Sequence, residues 1–161
     1  MKDIEIKIKG KCSFVLEGTK DDTVTFPQSA KISSNKYDTD IEFDANDVNG
    51  MTKLIIPEKS EKIELAVDDG SVLILKNLNS ERIEVDAKGT VEITIMNIVA
   101  ALDVNMIGGE ATLYVPSDMK VSCKSEGKGN FIETSGIIPS ENSDVKIELN
   151  GRDSVLKIAT R

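Results

Sequence analysis

The sequence predicts an all-β fold, a single-domain β-solenoid of about eight coils of roughly 20 residues each spanning residues 1–161. Three observations carry that expectation. Apolar and polar residues alternate at period two in IEIKIKG at 4–10, KIELAV at 62–67, RIEVDA at 82–87 and DVKIELN at 144–150. No window of a dozen residues keeps the 3.6-residue period of an amphipathic helix. Turn glycines recur at Gly10, Gly50, Gly70, Gly89, Gly109, Gly129 and Gly151, and the differences between those positions are 40, 20, 19, 20, 20 and 22.

The units follow in order along the chain. Ile4, Ile6 and Ile8 lead through Gly10 to Cys12, Phe14 and Leu16. The segment 19–40 breaks the pattern, because it is rich in Ser, Asp, Lys and Thr and contains Pro27. It is an irregular early coil or a surface loop, with a degenerate unit around Val24, Phe26, Ala30 and Ile32. Ile41 and Phe43 then lead through Gly50 to Leu54 and Ile56. Ile63, Leu65 and Val67 pair across Gly70 with Val72 and Ile74. Ile83, Val85 and Ala87 lead through Gly89 to Val91, Ile93 and Ile95. Leu102, Val104 and Met106 lead through Gly109 to Ala111, Leu113 and Val115. A weaker copy joins Val121 and Cys123 through Gly129 to Phe131. The last joins Val145, Ile147 and Leu149 through Gly151 to Val155, or to Leu156 and Ile158.

A two-strand unit cannot bury its apolar face alone, whereas stacked neighbours bury it against one another. Glycine at each corner permits a positive φ and a close approach of backbones. The alternative architecture is a β-sandwich of hairpins, for which Asp69-Gly70 and Gly108-Gly109 are suitable tight turns. The near-constant glycine spacing favours the stack.

Composition removes several functions. The 161 residues contain no His and no Trp, so Ser-His, Cys-His and His-metal chemistry is absent. Acidic residues number 28 against 20 basic ones, a net charge of −8, which argues against nucleic acid as a partner. The N-terminal MKDIEIKIKG has no apolar core of a signal peptide, and no run of apolar residues is long enough to span a membrane. The chain therefore reads as cytoplasmic, or as a cell-envelope protein whose export signal or anchor has been removed.

Candidate sites are few, and each has a plainer structural reading. Cys12 and Cys123 lie in alternating runs and are expected to be buried free thiols rather than a disulfide or a nucleophile. Asp44-Ala45-Asn46-Asp47-Val48-Asn49-Gly50 is calcium-loop-like, but Val48 stands where a ligand is needed and Gly50 falls one place late, so a turn is expected. Asp68-Asp69-Gly70 is likewise a turn before it is a cation site. Glu64, Glu84, Glu92 and Asp103 alternate with apolar neighbours, which places them on an outer face as solvated charges. A carbohydrate-active enzyme would use two such acids, but the aromatic platform is thin: Tyr37, Tyr114 and four Phe. Gly108-Gly109 and Gly127-Lys128-Gly129 lack the spacing of a phosphate loop and read as coil corners. Lys2, Lys7, Lys9 and Lys11 alternate with acids along a solvated face rather than forming a basic patch. No catalytic residue, cofactor or metal site is expected.

One stretch resembles a known family. Leu113-Tyr114-Val115-Pro116, then Met119-Lys120-Val121, the glycines Gly127 and Gly129, and the closing GRDSVLKIAT are similar to a bacterial family of putative adhesins of unknown function, over about residues 63–160. The resemblance implies a single-domain β-solenoid and brings no catalytic residues. The functional expectation is a non-enzymatic interaction or scaffold module that meets a protein or cell-envelope component through exposed sheet faces. The alternatives are a self-assembling homo-oligomeric scaffold and an enzyme with paired carboxylates.

Overall fold

The computed structural model describes residues 2–161. Among them lie fourteen strands in one hydrogen-bonded network and one short 3₁₀ turn, so the all-β expectation holds. The strands are β1 Asp3–Lys9, β2 Ser13–Thr19, β3 Lys31–Ser34, β4 Asp38–Asp44, β5 Met51–Pro57, β6 Lys59–Val67 and β7 Val72–Ala87. They continue as β8 Thr90–Ile107, β9 Glu110–Val115, β10 Lys120–Ser125, β11 Phe131–Ser135, β12 Ile138–Pro139, β13 Val145–Arg152 and β14 Val155–Thr160. The pairs are parallel, apart from β3 with β4 and the isolated bridge Thr25–Ile55. Hairpins join antiparallel neighbours, so parallel ladders belong to stacked coils.

Two ladders run side by side. The first carries β3, β4, β1, β6, the second half of β7, the second half of β8, β13, β10 and β12. The second carries β5, β2, the first halves of β7 and β8, then β9, β14 and β11. The chain crosses from first ladder to second at the glycine corners. It returns within β7 and β8 at Asn77 and Asn97, whose φ values are 55° and 53°. Asparagine tolerates this left-handed conformation better than most residues, and the Asn97 amide donates to Asn77 Oδ1 at 2.9 Å.

The coils do not stack in chain order. The β4–β5 coil lies outside the β1–β2 coil, and the β13–β14 coil is inserted between β8–β9 and β10–β11. Both terminal segments are therefore held one coil in from an end, with a strand on each side. Seven two-strand coils are present among the described residues. The region of the degenerate unit instead closes one end of the stack: β3 pairs with β4, and Thr25 exchanges two backbone hydrogen bonds with Ile55, both at 2.9 Å.

The core lies between the ladders as columns of like residues. Ile41, Ile6, Leu65, Val85, Val104 and Leu149 are successive ladder partners and all are buried. The expected inward residues hold at Cys12, Phe14, Leu16, Leu54, Ile56, Ile93 and Leu113. They fail at β7. There Leu73 and Leu75 point inward, and Val72 and Ile74 point out. The cause is Ser71, which turns in at the corner and accepts the Cys12 N–H, so the parity starts one residue earlier. Ser154 does the same for the Gly109 N–H, which selects Leu156 and Ile158 over Val155. At the far end Phe131 is exposed, and Ile132 packs on the core.

Candidate interaction surface

The two ladders present different outer faces. On the first, one position repeats as a carboxylate in six adjacent strands: Asp40, Glu5, Glu64, Glu84, Asp103 and Glu148. Neighbouring strands lie about 4.8 Å apart, so these charges would repel without cations beside them. Lys62 bridges Glu64 at 2.5 Å and Glu84 at 3.5 Å, and Arg82 reaches Glu84 at 3.8 Å and Asp103 at 3.3 Å. The Glu64 carboxylate accepting from Lys62 holds that ammonium's pKa up. Asp103 departs from the solvated charge expected of it. It is buried, and desolvation raises its pKa against the pull of Arg82, with Glu148 and Glu84 adding to the rise. Ala101, opposite Arg82, leaves Arg82 free to lean over Asp103, which lies one strand away.

The outer side of the second ladder is half apolar. Its central column runs Val15, Ile74, Thr94, Tyr114, Ala159. Val72, Met51 and Met96 stand in the columns beside it, with Met51 54% and Met96 44% exposed. Arg161 lies back across this face. Its guanidinium sits 4.0 Å from the Tyr114 ring centre and donates to Glu92 Oε1 and Thr94 Oγ1, both at 3.3 Å. Lys53 pairs with Glu17 at 2.8 Å at the margin, and that contact lowers the Glu17 pKa. The result is an apolar strip with a stacked arginine and a charged border, the composition of a protein-binding patch.

Three of the remaining candidates, Asp44, Asp68 and Asp69, hold turns and corners of the stack. Asp44 caps the short 3₁₀ turn Ala45–Asp47 by accepting the Asn46 N–H at 2.9 Å. Asp68 accepts the Gly10 N–H at 2.6 Å, and Asp69 accepts the Thr90 N–H at 2.7 Å, so both tie adjacent coils together. No group of three or more potential metal ligands occurs among the described residues. Gly108-Gly109 and Gly127-Lys128-Gly129 sit at corners, as read from the sequence. Cys12 is buried, and its burial raises the thiol pKa; Cys123, expected inside, is an exposed free thiol on the outermost coil. Lys7 and Lys9 pair with Glu5 at 3.1 Å and Glu42 at 3.0 Å on the first ladder's outer face. Glu64, Glu84 and Asp103 do come together, in the one column, whereas Glu92 lies on the opposite face beneath Arg161.

The strip was not identified from the sequence, yet it left a signal there. FVL at 14–16, LII at 54–56 and VLIL at 72–75 are continuous apolar runs, and all lie on the second ladder. Continuous runs mark strands with apolar surroundings on both faces. The core accounts for only one of those faces.

No protein-family model matches the chain, and no curated protein matches it in sequence. A solved structure described as a putative cell adhesion protein from Clostridium sporogenes ATCC 15579 is similar, with a TM-score of 0.55 and 12% identity, over 99% of this chain and 93% of that one. At that identity the likeness is one of fold, and the adhesin-like resemblance stands at that level. No helix among the described residues is long and apolar enough to cross a membrane.

Proposed function

We propose that the protein is a non-enzymatic, adhesin-like interaction module, and that the outer face of the second ladder is its contact surface toward a protein of the cell envelope. One observation carries this reading: half-buried Val15, Val72, Ile74 and Tyr114 and exposed Met96 lie together on one sheet face, with the Arg161 guanidinium stacked on Tyr114. Contiguous exposed apolar surface on a soluble domain marks an interaction site. The first ladder's face has the opposite character. Its carboxylates are matched by Lys62 and Arg82 on a flat surface, which suits solubility more than acid–base chemistry.

The test uses the purified protein with intact cells and isolated envelope fractions. Ile74→Lys combined with Met96→Lys is expected to weaken binding at least about tenfold, because both side chains would be desolvated in the contact. Both point outward, so the thermal midpoint of the variant is expected to stay within a few degrees of the parent. Binding that survives this change while Glu84→Gln and Arg82→Gln abolish it would overturn the assignment of the face.

A further inference from the structure

The closed end of the stack holds a cavity of about 1000 Å³. Its floor is the end of the core: Ile41 and Ile56 of the outermost coil, with Ile4 behind them. The chain between β2 and β4 arches over that floor and contributes Val24, Phe26 and Ile32 as walls. The volume lies at the upper end of the usual range for small-molecule sites, and the interior is predominantly apolar, as such sites are.

The interior makes no unmet polar demand. Thr39, which lines it, is 7% exposed, and its hydroxyl lies 2.9 Å from Ser34 Oγ, which in turn accepts from Lys2 Nζ at 3.0 Å. No buried side-chain nitrogen or oxygen among the described residues lacks a partner. A peptide adding as a strand finds little here. β4 is already paired with β3 from Thr39 to Glu42, and β5 is blocked at Ile55 by Thr25. The occupant that fits carries no backbone hydrogen bonds and has a long apolar portion.

The mouth sets the charge of the other end. Lys2, Lys20, Lys36 and Lys59 line the cavity and are exposed. None of them is within 4.0 Å of a carboxylate among the described residues, although seven other lysines are. Three acids share the rim. Asp21 accepts the Thr23 N–H at 2.9 Å, and hydrogen bonding from Thr23, its side chain first and its N–H second, lowers the Asp21 pKa and keeps that carboxylate ionised beside Asp22 and Glu58. Four ammonium groups against three carboxylates leave this rim with an excess of positive charge on a chain whose net charge is −8. We propose that this cavity binds a single-chain amphiphile with an anionic head, an aliphatic carboxylate. The chain lies on Ile4, Ile41 and Ile56 beneath Phe26, and the carboxylate is held at the lysine rim.

Dodecanoate is the probe, titrated below its micellar concentration and followed by calorimetry and by amide chemical shifts. The expected result is one site per chain with a dissociation constant below about 1 mM. The shifts are expected to be confined to residues 2–4, 19–41 and 54–59. Lys20→Glu with Lys59→Glu is expected to weaken dodecanoate at least about fivefold, and to leave dodecanol unchanged, because only the head contact is reversed. A fold check by circular dichroism accompanies the pair, and both substituted positions are exposed. Equal binding of dodecyltrimethylammonium, shifts spread over the outer face of the second ladder, or no binding up to about 1 mM would each overturn the proposal. Spread shifts would mean that the amphiphile merely coats exposed apolar surface.

Discussion

The glycines of this protein show how little room a tightly stacked corner leaves. Gly151 has φ +96°, and a Cβ there would stand 1.8 Å from the Met106 carbonyl oxygen of the adjacent coil. Gly50 has φ +66° at a corner of the outermost coil, with nothing within 4 Å of the equivalent position. Both conformations disfavour a side chain, but only one adds a backbone collision. Gly151→Ala is expected to cost at least about 3 kcal/mol, and Gly50→Ala about 1 kcal/mol, in urea unfolding. Equal costs would show that backbone conformation alone sets the requirement. These corners were legible, because a glycine every 20 residues is a local signal. The reversal of parity at Val72 and Ile74 was not. It depends on Ser71 turning inward to meet Cys12 N–H, a partner 59 residues away.

At the scale of the ladder, the column Asp40–Glu5–Glu64–Glu84–Asp103–Glu148 is a chain of like charges held by cations at its side. Asp103 is its costly member. Desolvation raises its pKa in the folded protein, so the folded state holds that proton more tightly than the unfolded chain does. Above the raised value the buried charge opposes folding, and as pH falls through it the penalty is relieved. Glu17 and Glu42 have lowered values, so their favourable contributions are lost as pH falls through those values. Asp103→Asn is therefore expected to match or exceed the parent at pH 7, by less than about 1 kcal/mol, and to lose that advantage at acid pH. Urea midpoints at the two pH values measure the difference. A loss above about 2 kcal/mol at pH 7 would show that the Arg82 pair outweighs the desolvation. Alternation placed these residues outside, but it said nothing of the column, which exists only through the register between strands.

Over the whole molecule, the two ends of the stack are unlike. One is closed by β3 and by Thr25 on Ile55. At the other, β12 covers β10 only at Lys120 and Val121, β11 pairs with β14 alone, and Phe131 is 66% exposed. End-to-end growth through backbone ladders needs two free ends, and here one is covered. Light scattering after size exclusion is expected to give a fixed small mass across a wide concentration range. Replacing Val24–Ser34 by a short Gly-Ser linker uncovers β4, and is expected to make the mass rise with concentration. Rods formed by the intact protein would instead make it a self-assembling scaffold.

Taken by itself, the sequence determined the secondary structure class, the two-strand unit, the glycine corners and most inward residues. Each of these is set within one unit by backbone conformation and side-chain alternation, so each is written in adjacent residues. The tertiary structure alone decided that β1–β2 and β13–β14 lie one coil in from the ends, that the apolar strip gathers on the second ladder, and that residues 20–37 roof a cavity. The physical reason is degeneracy. Coils of nearly equal length and similar inward residues can satisfy one another's ladders in many orders, so local pattern does not distinguish neighbours. The order is settled where the units differ, at the ends, by which strand edges must be covered and which apolar side chains still need a partner.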